Sequence, residues 1–275
     1  MSKGSGMRGV FTLTISKQHG AWSILIACFV LGTWVGGNLD PRTALLSCSV
    51  VFGFLARHSA GVYLQLPETD TRRRGVLIWT TSYALVLLGT GGLLVSAYGL
   101  WSLLLFGVLL LAVGLTSLMV ARQKRDYTNS GELIGVLGLT LVAPVAEYTA
   151  RGIFSVQTFA VWVLCALFFC GSVFHVRYLV RRRAASMGPL RERLKAGRPS
   201  VVYHLVALCT AVVLGLAGML PPLSPVALLP GALRAWTAVG RRVRRPLPVR
   251  RIGVMEVLYT LVFLVLVVSA FYISK

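Results

Sequence analysis

Residues 154–180 read FSVQTFAVWVLCALFFCGSVFHVRYLV, and Arg181, Arg182 and Arg183 follow directly. The stretch holds no acidic residue and exceeds the roughly 20 residues that a helix needs to cross the hydrocarbon of a bilayer. A run of arginines at one end of such a stretch is typical of a loop on the cytoplasmic face. This part of the sequence therefore predicts a transmembrane helix that ends at a basic, cytoplasmic side.

The same pattern recurs along the chain. Of the 275 residues, 56% are hydrophobic and 13% are charged, whereas about a quarter of the residues of a soluble domain are charged. We predict an all-α polytopic membrane protein, with a basic cytoplasmic segment at 1–20 and one transmembrane domain at 21–275. Nine spans are predicted, at 21–36, 43–64, 76–97, 100–121, 133–150, 154–180, 201–220, 223–239 and 252–273. The eighth contains Pro225 and Pro230, so we expect it to be kinked, tilted or partly re-entrant.

Basic residues are concentrated on one side of these spans. Of the 28 lysine and arginine residues, only Arg42, Arg151 and Lys275 fall on the side opposite the N-terminus. The positive-inside rule then predicts a cytoplasmic N-terminus and an external C-terminus. The net charge of +20 does not indicate a nucleic-acid partner, because the basic residues separate apolar spans instead of forming a domain of their own.

No motif in the chain indicates a metal or another cofactor. The five cysteines form no C-x-x-C pair, no two histidines are four residues apart, and there is no glycine-rich phosphate loop. We expect the cysteines to be small apolar residues packed within helices, and we expect neither a cofactor nor a metal site.

Arg57 and His58 lie unusually deep in the second predicted span. Arg57 follows Arg42 by about four helical turns, a rise of about 21 Å across a hydrocarbon core of roughly 30 Å. An ionisable group at this depth is a candidate functional residue, because burying a charge in lipid is costly. A long arginine side chain also has the alternative of reaching outward to the interface.

Other ionisable residues are predicted at the same level of the bilayer. They come from separate spans and are His19, Arg122, Glu132, His175, Arg177, His204 and Glu256. In a closed bundle they would line a basic cavity open to the cytoplasm, with Glu132 and Glu256 as partners of Arg57 or Arg177. Interfacial anchoring and hydrogen bonding between helices would explain the same residues without a cavity.

A cavity of this kind suits an anionic amphiphile, such as a phospholipid or an isoprenoid diphosphate, because arginine forks bind phosphate. The residues expected to contact the head group are Arg57, His58, His175 and Arg177. The residues expected to position them or to couple them to protons are His19, Glu132 and Glu256.

Two alternative functions remain open at this point, as does the oligomeric state. One is a transporter of a small anion or a proton-coupled solute, for which Glu147 beside Pro144 gives a hint near the outer face. The other is a non-catalytic scaffold that recruits a cytoplasmic partner through the basic loop at 181–198.

Three short motifs resemble those of the YwiC-like bacterial membrane proteins. They are Lys17-Gln18-His19-Gly20-Ala21-Trp22, Gly131-Glu132-Leu133-Ile134-Gly135 and Phe174-His175-Val176-Arg177. The first departs from the expected pattern, since Gln18 stands where that family leads us to expect an acidic residue. The resemblance implies a multi-pass protein of the bacterial cytoplasmic membrane.

The layout is also similar to that of the UbiA superfamily of intramembrane prenyltransferases. That resemblance implies nine helices, an inward N-terminus and two Asp-rich motifs, after the second and sixth helices, that bind Mg²⁺-diphosphate. Here Arg57-His58 and His175-x-Arg177 occupy those places. The resemblance therefore implies a UbiA-like bundle without its metal site. Either arginine and histidine pair with the diphosphate directly, or prenyl transfer has been lost; any enzyme activity would be transferase-like.

Overall fold

The computed structural model describes residues 19–122, 129–184, 190–241 and 248–274. Within these residues the chain forms ten α-helices and one short 3-10 helix, and none of the described residues is in a strand. The α-helices are α1 His19–Gly36, α2 Pro41–Gln65, α3 Arg73–Ser96, α4 Ser102–Arg122, α5 Asn129–Thr140, α6 Val142–Arg151, α7 Val156–Ala184, α8 Leu190–Leu216, α9 Leu229–Gly240 and α10 Val249–Ile273.

The prediction of an all-α polytopic membrane protein is confirmed. In the described residues, seven helical stretches are long and apolar enough to cross a bilayer. They are Pro41–Gln65, Arg73–Ser96, Ser102–Val120, Gly131–Arg151, Val156–Arg182, Leu190–Leu216 and Arg250–Ile273. The two remaining predicted spans correspond to the shorter α1 and to the 3-10 helix followed by α9.

The eighth predicted span is built from two consecutive helical segments. The 3-10 helix, Ser224–Leu228, leads directly into α9. At about 2.0 Å per residue for a 3-10 helix and 1.5 Å for an α-helix, the two segments together rise about 28 Å, close to the roughly 30 Å of the hydrocarbon. Pro225 and Pro230 each lie in the first turn of their segment, where a missing N–H breaks no helical hydrogen bond.

The fifth predicted span is not one continuous helix. It is interrupted at Leu141, between α5 and α6. The interruption is explained by Pro144, which has no N–H to donate to the carbonyl of Thr140 four residues earlier. All residues of α6 from Val142 to Ala150 are buried, so this short helix lies at the centre of the protein.

Helices α1 and α6 approach each other more closely than side chains on both would permit. A Cβ atom at Gly32 would collide with the carbonyl oxygen of Ala143, and one at Gly36 would lie 2.8 Å from the carbonyl oxygen of Glu147. The facing residues of α6 include Ala146 and Ala150. Small residues on both helices let the backbones pack against each other, which is a common source of helix association in lipid.

The basic segment at 181–198 is largely helical, so its prediction as a loop is wrong. Helix α7 continues to Ala184 and α8 begins at Leu190, eleven positions before the predicted span at 201. Hydropathy marks the part of a helix that lies in lipid, and it does not mark where the helix begins. Leucine, arginine, glutamate and lysine in this segment favour a helix, although they are too polar for a membrane span.

We expect Gly32→Ala to destabilise the fold by about 1–3 kcal/mol, because the new methyl group meets backbone atoms that have no room to move. The measurement is unfolding of the purified protein in mixed detergent micelles. Gly107→Ala in α4 is the matched control, since no atom lies within 4 Å of its Cβ position. Equal stability of the two variants would contradict the close α1–α6 contact.

Candidate functional site

The predicted site residues do not line one common cavity in the structure. They are divided among three groups of polar contacts, between α2 and α4, between α5 and α7, and among α7, α8, α9 and α10. His58 is adjacent to Arg57 in α2 and interacts electrostatically with it. His19 begins α1, and its side chain lies outside the described residues. Arg122 is exposed at the end of α4.

The first group joins α2 to α4. Nε of Arg57 donates a hydrogen bond to Oγ of Ser117 at 3.1 Å, and Ser117 is buried. Both Arg57 and the adjacent His58 are half-buried. Arg57 therefore bonds to a hydroxyl group of a neighbouring helix.

The second group is the ion pair between Glu132 of α5 and Arg177 of α7. Nε of Arg177 lies 2.6 Å from Oε2 of Glu132, so the predicted partnership of these two residues is confirmed. The side chains remain 38% and 21% exposed, respectively. The pair therefore lies at the rim of the bundle, where water or a head group can reach it.

The third group is centred on Arg234 of α9. This arginine was predicted on the cytoplasmic side of the membrane but was not among the predicted site residues. Its Nη1 and Nη2 donate to the two carboxylate oxygens of Glu256 in α10, at 2.7 and 2.9 Å. Nη2 also donates to Oγ of Ser172 at 2.9 Å. The guanidinium lies over the ring of Tyr259, with Cζ 4.2 Å from the ring centroid. The expectation that Glu256 pairs with Arg57 or Arg177 is wrong, because Arg234 lies directly beside it.

Two histidines complete the third group. His175 of α7 and His204 of α8 are both buried, and His175 interacts electrostatically with His204 and Arg234. Nδ1 of His204 is 2.7 Å from the carbonyl oxygen of Ser200. Two residues in sequence correspond to about 200° around an α-helix, so His175 and Arg177 project from different sides of α7. The motif His175-x-Arg177 therefore contributes to two separate groups.

Arginines from α7 and α8 cap the carboxyl end of α9. Arg182 donates to the carbonyl oxygens of Ala238 and Arg241, at 2.5 and 2.6 Å. Arg193, which is 8% exposed, donates to the carbonyl oxygen of Gly240 at 3.1 Å. Positive side chains at a helix C-terminus satisfy its last carbonyl groups and oppose its dipole. These two arginines of the segment 181–198 thus have a structural role inside the protein.

A crevice opens between α7 and α8 beside the second group. Its volume is about 50 Å³, and it is lined by Phe174, Arg177, Tyr178, Arg181, Ala196, Pro199 and Ser200. Arg177 and Arg181 are four residues apart and project from one side of α7. The crevice therefore offers two guanidinium groups next to two aromatic rings.

A separate polar contact lies at the other end of α7. Glu147 of α6 is completely buried, and its Oε1 lies 2.8 Å from Nε of Arg151. Arg151 also donates to Oε1 of Gln157 at 2.8 Å and to the carbonyl oxygen of Val35 at 3.3 Å. Thus Arg151 connects the ends of α1, α6 and α7. Glu147 had been expected either at a transport path or at a water-exposed helix end, and its complete burial excludes the exposed end.

Apolar side chains separate the two ends of α7. From Thr158 to Ser172 the helix rises about 21 Å, and the buried residues between them include Val161, Leu164 and Phe168. The ring of Phe168 stacks on Phe263 of α10, with centroids 4.0 Å apart. The ion pair Arg234–Glu256 and the ion pair Glu147–Arg151 are therefore far apart along a closely packed core.

No group of three or more histidine, cysteine, aspartate or glutamate side chains that could hold a metal ion occurs in the part of the chain that the structure describes. The donors that the site does present are mainly guanidinium groups, which bind anions and not cations.

Comparison with known proteins agrees with the short motifs. The family model described as "YwiC-like protein" matches residues 15–147. Over this region, just under half of its length, the chain is similar to the YwiC-like family. It is similar to the "Uncharacterized protein YwiC" of Bacillus subtilis (strain 168), with 28% identity over 250 residues, which cover 91% of this chain and 95% of the relative. The third YwiC-like motif, at 174–177, lies beyond the region of the family model. No solved structure matches the chain, so the UbiA-like arrangement stays a prediction.

We expect Arg234→Leu to destabilise the protein by about 3–5 kcal/mol, because it leaves the carboxylate of Glu256 largely buried without a counter-charge. The double variant Arg234→Leu/Glu256→Leu should recover a large part of the loss. Arg177→Leu is the control, and should cost less than about 1 kcal/mol because its ion pair is partly exposed. Unfolding in mixed micelles measures all three, and an equal loss for the Arg234 and Arg177 variants would contradict the buried pair.

Proposed function

We propose that this multi-pass membrane protein binds the phosphate group of an anionic lipid in the crevice between α7 and α8. The lipid is a phospholipid or an isoprenoid phosphate or diphosphate, which present the same chemistry to the protein. The proposal includes no catalytic step. The observation that supports it best is the pair Arg177 and Arg181, which are one helical turn apart and both line the crevice.

The charges in the crevice favour a phosphate ligand. Guanidinium groups form charge-assisted hydrogen bonds to phosphate oxygens in a bidentate geometry. Arg181 is exposed and Arg177 is half-buried, so a head group can reach both. Glu132 holds Arg177 at 2.6 Å and thereby positions it at the crevice.

The aromatic residues of the crevice favour a lipid over a soluble anion. Phe174 stacks on Tyr203 of α8, with ring centroids 4.6 Å apart, and Tyr178 is buried beside it. Aromatic rings of this kind commonly lie at the level of the lipid head groups.

The proposal keeps two of the predicted site residues, Arg177 and Glu132, in the ligand site. His175 and Glu256 belong to the buried group around Arg234, and Arg57 is bonded to Ser117. The further proposal on location is the bacterial cytoplasmic membrane, with the N-terminus inside and the C-terminus outside. It is supported by the distribution of basic residues and by the bacterial relative.

Native mass spectrometry of the detergent-purified protein tests the lipid site. We expect phosphatidylglycerol and an isoprenyl phosphate, titrated separately, to bind more tightly than phosphatidylcholine. Comparing the affinity for phosphatidylglycerol with the affinity for the isoprenyl phosphate shows which of the two lipid classes the crevice prefers. Arg177→Ala/Arg181→Ala should weaken binding of the more tightly bound lipid by tenfold or more, since each charge-assisted hydrogen bond contributes about 1.5–3 kcal/mol.

The matched control removes two basic residues elsewhere. Arg72 and Arg74 are exposed at the start of α3, on the side predicted to be cytoplasmic, and Arg72→Ala/Arg74→Ala removes the same charge. This control should leave lipid binding within about twofold of the wild type. If both double variants lose the lipid equally, basic charge in general binds it and the crevice does not. If neither loses it, the assignment is wrong.

The orientation has its own test. We expect alkaline phosphatase fused to the C-terminus to be active in bacterial cells, because that enzyme folds only outside the cytoplasm. Green fluorescent protein fused at the same position through the same export route should be dark. The opposite result would place the C-terminus inside and would move the crevice to the outer face.

A further inference from the structure

A second, much smaller cavity lies inside the bundle, between α7, α8 and α9. Its volume is about 10 Å³, close to the smallest cavity that holds one water molecule. It is lined by Leu167, Phe168, His204, Ala207, Leu228, Gly231 and Arg234. Two of these side chains are polar and buried, so the hydrogen-bonding groups that they present to the cavity determine what it can bind.

Arg234 has one hydrogen-bond donor that the ion pair does not use. Nη1 and Nη2 are bonded to Glu256 and Ser172, whereas Nε is buried without a hydrogen-bond partner in the protein. The whole residue is 8% exposed. An N–H group of an arginine at such a site is costly to leave unsatisfied.

His204 presents an acceptor in the same region. A carbonyl oxygen can only accept a hydrogen bond, so Nδ1 of His204 carries the hydrogen that points to the oxygen of Ser200. In the neutral imidazole, Nε2 is then a lone-pair acceptor. Nε2 faces Gly171 of α7, where a Cβ atom would lie 3.0 Å from it. The absence of a side chain at Gly171 leaves space in front of this nitrogen.

We propose that the cavity binds one water molecule, which accepts a hydrogen bond from Nε of Arg234 and donates one to Nε2 of His204. The ligand class follows from the size of the cavity and from the donor and acceptor that line it. A lipid head group is too large, so this site is separate from the crevice and is independent of the proposed function. With the water bound, hydrogen bonds connect α8 through Arg234 to Ser172 of α7 and Glu256 of α10.

The test is water-edited solid-state ¹⁵N NMR of the histidine-labelled full chain in liposomes at neutral pH. The chain has four histidines, and His204→Gln assigns the resonance of interest. We expect Nε2 of His204 to be unprotonated and hydrogen-bonded, with polarisation transfer from bound water. A protonated Nε2, or an unprotonated Nε2 that receives no transfer from water, would overturn the proposal.

Two variants test the binding partners of the water. Arg234→Lys removes the Nε donor while keeping a positive charge near Glu256, and the transfer to His204 should disappear. Gly171→Ala fills the space in front of Nε2 and should also abolish the transfer. Gly253→Ala in α10 is the control, because no atom lies within 4 Å of its Cβ position, and it should leave the signal unchanged. A water signal that survives both cavity variants would show that the water is not held there.

Discussion

A charged side chain inside a lipid-embedded bundle needs an opposite charge, and this requirement organises the C-terminal half of the protein. Arg234 is 8% exposed and is bonded by both terminal nitrogens to Glu256. The desolvation of two charges is costly, and only a short bidentate contact with additional hydrogen bonds compensates for it. Ser172 and the ring of Tyr259 supply those additional contacts. The pair therefore fixes the positions of α7, α9 and α10 relative to one another.

The position of Arg234 depends in turn on how α9 is held. The helix has 12 residues, too few to cross a bilayer unaided, and the preceding 3-10 helix supplies the remaining length. Arg182 and Arg193 bond to the carbonyl oxygens at its other end. Gly197 of α8 lies against Val239 with no space for a side chain. Polar caps and the close contact between Gly197 and the Val239 side chain thus position a helix that has little apolar length of its own.

Hydropathy and charge were sufficient to predict the helical fold, because apolar length and flanking arginines follow directly from the bilayer. They were insufficient for the contacts between helices. Gly32 and Gly36 form a G-x-x-x-G pattern that is typical of close helix packing in lipid, but the pattern does not identify α6 as the helix that packs against them. Glu132 was predicted to pair with Arg57 or Arg177 and pairs with Arg177, whereas the partner of Glu256 was missed. The signal for that partner was present, since Arg234 is an isolated arginine inside the predicted span at 223–239, but it was counted only among the basic residues that orient the protein.

In the structure, the depth of an ionisable residue in the bundle and its availability to a ligand are different properties. The sequence alone does not distinguish them. Ionisable residues predicted inside the membrane were expected to contact or position a ligand, yet one of them, Glu256, is bonded to the buried Arg234. Arg177 is shallower, its partner Glu132 is 38% exposed, and it borders a crevice that a head group can enter. An arginine fully engaged within the core stabilises the fold, while one at the rim exchanges its partner at little cost. The residues best suited to bind an anionic ligand are therefore those at the edge of the bundle, and the buried charges hold the helices that present them.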